Sequence, residues 1–182
     1  MAVEIEKKYL LTAEQRAGVL ESLKRIKAVF IREDFEENII YQGGILTLEG
    51  AVLRIRKVGG ETILTYKKRL GDQTAVKRQV EHETRVEDAA RMDEIIGCLG
   101  FEKALVYEKR RGIWRLDEVE IVLDELPFGL YMEIEGTESS ISRAEKLLGA
   151  SSLRIEHLTY PHLTQKFGEK KGKLTEARFP LN

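Results

Sequence analysis

At 182 residues the chain has room for one domain with a sizeable core and little room for a second. Its 30 lysines and arginines nearly cancel its 31 aspartates and glutamates, which argues against both the basic field of a nucleic-acid binder and the acidic excess of a disordered tail. Charged residues nonetheless make up 34% of the chain, above the roughly one quarter usual for a soluble domain, so their placement becomes the question. No apolar run approaches the ~20 residues that span a bilayer, and the first residues carry acids where a secretory signal would be apolar. A cytoplasmic setting is expected. The single cysteine, Cys98, stands among Ile95, Ile96 and Leu99 and is expected to be a small buried apolar residue with no disulfide partner.

The chain opens with a strand expected from Val3 to Leu11. Alternation along it puts Glu4, Glu6 and Lys8 on one side, neighbours ~7 Å apart at ~3.3 Å per residue. Two carboxylates held that way repel unless a cation lies beside them, so the triplet suits a metal. Thr12 and Gln15 form a capping-box pattern that opens a helix through Ala17, Leu20, Leu23 and Ile26. Strand signals return from Val29 to Tyr41 and break at Gly43-Gly44, which reads as a loop. AVLRIRKV and ETILTYKKR flank Gly59-Gly60 and predict a hairpin with a primed turn, the second arm ending at Gly71 and Asp72. Val76 to Val86 alternates again. Asp88 then caps a helix carrying Ala89, Met92, Ile95, Ile96 and Leu99, stopped by Gly100. Strands follow at Phe101 to Leu116, with a bend or break expected at Gly112, then at Glu120 to Leu126 and Leu130 to Gly136. A helix is expected from about Ser140 to Leu148, ending at Gly149, and another near Pro161 to Phe167. Residues 1–168 are read as a single domain, and 169–182, with the basic run GEKKGK, as a mobile tail.

Nearly every strand carries one charged side. Arg54 and Arg56 share a face, as do Lys67 and Arg69, Glu81 and Glu83, Lys109 and Arg111, and Glu133 and Glu135, while Asp124 lies opposite Leu123. An open half-buried sheet would put such a face in water. Paired arginines and paired glutamates on strand after strand favour a different solution, a sheet curled into a barrel with its charged sides inward and amphipathic helices outside. That interior gathers Glu4, Glu6, Glu81, Glu83, Asp124, Glu133 and Glu135 with Lys8, Arg54, Arg56, Lys67, Arg69, Lys77, Lys109 and Arg111. Buried charges must be partnered, so both populations need a ligand or each other. Basic residues spread around a pore match a chain of phosphates, and Mg²⁺ or Mn²⁺ reconciles the carboxylates with it through hard oxygen ligands.

These motifs resemble the CYTH domain, or triphosphate tunnel metalloenzyme fold, of class IV adenylyl cyclases and thiamine triphosphatases. The match runs through the E-x-E-x-K of Glu4, Glu6 and Lys8, LRIR ending at Arg56, LTYK ending at Lys67, the pair Glu81 and Glu83, EKRR at Glu108 to Arg111, LDELPFGLYMEIE ending at Glu135, and LTYPHL around Tyr160. The resemblance implies an α+β fold, a closed eight-stranded antiparallel β-barrel with helices packed outside, that binds triphosphate and Mg²⁺ or Mn²⁺ at its centre. It implies Glu4, Glu6, Glu133 and Glu135 as metal ligands with Asp124 nearby, and Lys8, Arg54, Arg56, Lys67, Arg69, Lys109 and Arg111 as the triphosphate-binding set. Glu81 and Glu83 would bind metal, directly or through water, or pair with neighbouring bases. Where family members often carry an aromatic-Asp-Thr stretch, this chain has Tyr41-Gln42-Gly43-Gly44. Tyr41 would either help Lys67 activate water or serve as a packing aromatic.

The leading expectation is a metal-dependent triphosphate hydrolase acting on inorganic triphosphate or a nucleoside or other organic triphosphate. The alternatives are an adenylyl cyclase making cyclic AMP and pyrophosphate from ATP, and a non-catalytic nucleotide- or polyphosphate-binding module. The partner expected is a small-molecule triphosphate or nucleotide, with neither nucleic acid nor membrane, on a monomer or homodimer. His82 lies on the apolar side of its strand, His157 and His162 sit near the C-terminus without metal-ligand spacing, and Trp114 reads as a packing aromatic.

Overall fold

The computed structural model describes residues 5–69 and 79–180, so Glu4, Lys77 and the Gly71-Asp72 turn lie outside the described residues, as does the Arg69 side chain. In chain order the elements are β1 (Glu6–Leu11), α1 (Ala13–Arg25), β2 (Val29–Gln42), α2 (Gly44–Glu49), β3 (Ala51–Val58), β4 (Glu61–Arg69), β5 (Gln79–Arg85) and α3 (Ala89–Cys98). They continue with β6 (Glu102–Leu116), β7 (Val119–Leu126), β8 (Gly129–Glu135), α4 (Glu138–Leu148), β9 (Arg154–Ile155), α5 (Tyr160–Phe167), β10 (Glu169–Lys171) and β11 (Leu174–Ala177).

The strands form one mostly antiparallel sheet in the order β5-β4-β3-β2-β6-β7-β8-β1-β9, so the architecture is α+β as expected. Closure into a barrel is not shown by backbone pairing, and among the described residues the sheet counts 11 strands against the eight expected. Among the described residues the path runs from β5 to β9 and no backbone pairing joins its two ends. Curvature nevertheless brings side chains of β1, β3, β4, β5, β6 and β8 to the wall of one cavity of about 780 Å³.

Local chemistry sets α1, α3 and α4 on the outside as expected, whereas α5 packs against the concave face. Thr12 caps α1 in a reciprocal capping box with Gln15, and Lys24 and Arg25 complement the dipole at its end. The helix buries Val19 and Leu23, and α4, capped by Thr137, buries Ile141, Ala144 and Leu148. Both sets pack on the outward side chains Tyr9, Ile121, Leu123, Met132 and Ile134. On the far side α3 sets Ile96 and Met92 against Ile39, Tyr41, Ile55 and Val106. Cys98 falls off that stripe and is exposed, contrary to the buried position expected from its neighbours. The reason is helical period: Met92 and Ile96 are four apart and face inward, whereas Ile95 and Leu99 are themselves exposed.

The predicted hairpin has Gly59 and Gly60 both at positive φ, as a primed turn requires. Gly43 and Gly44 also take positive φ, but they open the short helix α2 in place of a plain loop. β6 runs unbroken through Gly112, where a glycine is needed for space: a Cβ there would meet the Trp114 ring at 2.6 Å. The segment read as a mobile tail is built into the sheet. β10 and β11 form a hairpin, and β11 pairs in parallel with β6 through Thr175, Glu176 and Ala177. The basic run masks the alternation Leu174-Thr175-Glu176-Ala177, whose Thr175 and Ala177 are buried.

Candidate functional site

On the concave face five strands change character along their length. Alternate residues read Leu10 then Lys8 and Glu6 on β1, Ile40 then Asn38 and Glu36 on β2, and Val52 then Arg54 and Arg56 on β3. The same change runs from Tyr107 to Lys109 and Arg111 on β6, and from Tyr131 to Glu133 and Glu135 on β8. Register aligns the change: Lys8 pairs with Glu133, Glu6 with Glu135, Asn38 with Arg56 and Tyr107, and Glu36 with Lys109. The apolar end is filled by α5, whose Tyr160 and Leu163 pack with Ile40, Leu105, Tyr107, Leu126 and Tyr131. The charged end stays open as the cavity.

At the centre of the charged belt, Arg111 binds Asp124 through Nε at 2.7 Å and Nη2 at 2.5 Å, and Nη2 also reaches Glu133 Oε2 at 2.7 Å. Lys109 Nζ lies 3.2 Å from Glu36 and 3.8 Å from Asp124, and Lys8 Nζ lies 3.3 Å from Glu133. The Tyr160 hydroxyl donates to Asp124 Oδ2 at 2.6 Å. Burial pushes the Glu36 carboxyl up, but Lys109, Arg111 and Arg56 outweigh it and hold it at about 2. Glu133 is likewise raised by burial and brought down to about 2 by Arg111, Lys8 and Lys109. Burial and the Arg111 charge lower Lys109, against the pull of its three carboxylates. Burial also works against the Arg111 charge, but Asp124 and Glu133 leave it well above its ordinary value.

A second group lies on β3, β4 and β5. Arg54 and Arg56 each place Nη2 3.4 Å from Glu83 Oε1, which also accepts from the Thr65 hydroxyl at 2.8 Å, and Lys67 Nζ meets Glu81 at 2.6 Å. Among the described residues, the Nε atoms of Arg54 and Arg56 are buried with no hydrogen-bond partner. Such orphaned donors in a cavity wall are matched to an anion.

Of the residues picked from sequence, Glu6, Lys8, Arg54, Arg56, Lys67, Glu81, Glu83, Lys109, Arg111, Glu133 and Glu135 line the cavity together. Asp124 is fully buried behind them. Tyr41 does not join them. It lies on the convex face, 3% exposed, and donates to Asp93 Oδ1 at 2.7 Å, so the packing role is the one the structure gives it. The physical reason is parity, because Tyr41 is one residue past the inward Ile40. Glu81, Glu83 and Asp124 face basic partners at salt-bridge distance. Among the described residues no three acidic, histidine or cysteine side chains are gathered closely enough to hold a metal ion.

Sequence reasoning missed Glu36 and Asn38, both buried on the concave face, and the part played by Tyr160. Alternation of Glu36, Asn38 and Ile40 was the available signal, hidden by Glu33, Asp34 and Glu37 around it. His162, set aside for lack of ligand spacing, lines the cavity beside Tyr160.

A model of the CYTH domain matches residues 2–160. A relative named "Putative adenylate cyclase MJ0240", from Methanocaldococcus jannaschii, is 30% identical over 149 residues, 80% of this chain and 83% of its own length. Among solved structures, the PH1012 protein from Pyrococcus horikoshii OT3 superposes with a TM-score of 0.76 at 25% identity, over 88% of this chain and 98% of that one. HpAC1 from Hippeastrum, described as a "putative adenylyl cyclase" with a dominant triphosphatase activity, is 16% identical with a TM-score of 0.66, over 91% of this chain and 96% of its own. The chain belongs to the CYTH domain family.

Proposed function

We propose that the protein is a divalent-metal-dependent triphosphate hydrolase whose substrate lies in the charged cavity. The observation that carries this is the pair of buried Nε donors on Arg54 and Arg56, which have no partner among the described residues, in a wall that also presents Lys8, Lys67, Lys109 and Arg111. A chain of phosphate oxygens satisfies such donors and spreads its charge over all six cations. At about 780 Å³ the cavity lies within the ~300–1,000 Å³ range that encloses drug-sized ligands, so a triphosphate with an organic group is accommodated as well as the inorganic one.

Among the described residues, one strand pairing supports the binding of a hard cation. Glu6 and Glu135 are directly paired and both line the cavity, a juxtaposition of oxygens suited to Mg²⁺ or Mn²⁺. When bound there, such an ion would shield phosphate charge and lower the pKa of a coordinated water. The chain's own residues do the rest. Arg54, Arg56, Lys109 and Arg111 hold phosphate oxygens in line, and Asp124, Glu36 and Glu83 keep those cations aimed. Lys67, tethered to Glu81, faces the same space and orients the attacking water, with release of orthophosphate.

A cyclase reading keeps the same phosphate contacts, and the name of the Methanocaldococcus relative favours it. The discriminating experiment incubates the protein with inorganic triphosphate, ATP and thiamine triphosphate, each with Mg²⁺ or Mn²⁺, and separates the products. Orthophosphate is expected. Dominant cyclic AMP with pyrophosphate would replace the hydrolase by the cyclase, and tight binding without product would leave a binding module.

A further inference from the structure

Tyr160 touches more of the charged belt than any single interaction explains. It opens α5, and Thr159 fixes the helix start by accepting from the His162 backbone N–H. Its ring is braced on the apolar side by Tyr131, edge-on at 5.5 Å between centroids, and by Tyr107 at 6.4 Å. Its other side faces the cavity, with Lys8 Nζ 3.9 Å and Lys109 Nζ 5.3 Å from the ring centroid. The hydroxyl is bonded to Asp124, the carboxylate that Arg111 grips.

Lys8 shows why the ring matters. Its ammonium has Glu133 at 3.3 Å on one side and the Leu158 carbonyl at 3.2 Å on another, and the ring face completes the set. Two of these three come from Leu158, just before α5, and from Tyr160, its first residue. The negative face of an aromatic ring attracts an ammonium without neutralising it, whereas a carboxylate competes with any phosphate for the same charge. Lys8 is shared between the ring and Glu133, and a lysine that closed further onto the carboxylate would lose more of its attraction for an anion.

We propose that Tyr160 is a positioning residue that seats the Lys8 and Lys109 ammonium groups on its ring and aims the Arg111 fork through its hydroxyl, so that three cations reach the cavity pre-arranged for a polyanion. The inference rests on reading the cavity as a triphosphate site. The helix that plugs the apolar end of the fold thereby also sets the geometry of the charged end.

The test separates ring from hydroxyl and from mere packing. Tyr160→Phe keeps the ring, Tyr160→Leu removes it, and Phe variants at 160 carrying increasing numbers of fluorines drain the ring's negative face at nearly constant volume. Calorimetric binding of inorganic triphosphate is expected to weaken by a few-fold at most in Tyr160→Phe, by roughly tenfold more in Tyr160→Leu, and in even steps along the fluorinated series. A fluorinated series with flat affinity overturns the proposal, because packing alone would not respond to ring charge. A second readout needs no ligand: the Lys8 side-chain protons should show an upfield ring-current shift in the parent and in Tyr160→Phe that vanishes in Tyr160→Leu. Its absence from the parent also overturns the proposal. A parent protein that binds no triphosphate would defeat the functional reading by itself, while the ring-current measurement would still decide where Lys8 sits.

Discussion

Arg111 and Asp124 sit directly opposite each other on β6 and β7 and are joined by two hydrogen bonds, at 2.7 and 2.5 Å, in a position where the aspartate has no exposure to solvent. A buried pair of this kind adds little over an apolar pair, but removing one partner strands the other charge. Asp124→Asn is therefore expected to destabilise the protein by about 3–5 kcal/mol, read as a fall in the urea midpoint. A loss below about 1 kcal/mol would show that Glu133 and water take over the guanidinium.

Acid should loosen the same belt. The Glu36 carboxyl sits at about 2 in the folded protein, against about 4.3 in an unfolded chain. A depressed carboxylate contributes stability that is fully present above its unfolded value and is lost as pH falls toward the folded one. Stability is expected to fall between about pH 5 and pH 2, with Glu36 accounting for on the order of 3 kcal/mol and Glu133 acting in the same direction. Denaturation across that range should give a steep acid limb, and Glu36→Gln should flatten it. An unchanged limb would mean that Glu36 is not the group being titrated.

Arg54→Gln and Arg56→Gln remove the orphaned donors while leaving the Arg111 centre intact. Each should weaken inorganic triphosphate binding by roughly tenfold or more, the scale of a charge-assisted hydrogen bond, and should make binding less sensitive to salt. Arg54→Gln should change stability little, because its partner Glu83 has a side chain 37% exposed, whereas Arg56→Gln should cost more, since the Arg56 charge also helps hold the buried Glu36 carboxyl down. Undiminished affinity in both variants would remove these arginines from the binding site.

Tyr41→Phe provides the opposite control. Its phenol is held up in pKa by burial and by Asp93, on the convex face away from the cavity. The substitution should leave turnover unchanged and lower stability by about 1 kcal/mol, the value of one hydrogen bond. A large loss of turnover with a normal fold would restore Tyr41 to the chemistry.

Glu6→Gln and Glu135→Gln probe the ion. Each should reduce Mn²⁺ binding by roughly tenfold or more, measured by the paramagnetic signal of free Mn²⁺ in the absence of substrate, since each removes one anionic oxygen donor. Retained binding would move the ion elsewhere in the cavity.

Much of this site was legible because strand alternation is a local rule. Glu6 with Lys8, Arg54 with Arg56 and Glu133 with Glu135 each declare a shared face two residues apart, and a sheet of such strands has to hide or hydrate that face. Tyr41 shows the limit of that reading, since one step of parity took it from the cavity to the core under α3. Cys98 shows another, because apolar neighbours in sequence are not neighbours in space on a helix. Glu36 and Asn38 were obscured by surrounding acids whose role depends on which strands flank β2.

By itself, then, the sequence determined the charged and apolar sides of the strands, the caps of α1 and α3, and the Gly59-Gly60 hairpin, all of which depend on residues within a few positions of each other. Only the tertiary structure decided that Arg111 would fork onto Asp124, that Lys8 would rest on Tyr160, and that the last strand would join β6. Those contacts join residues from 13 to 152 positions apart, so their partners are set by strand order and sheet curvature, which no local pattern of residues encodes.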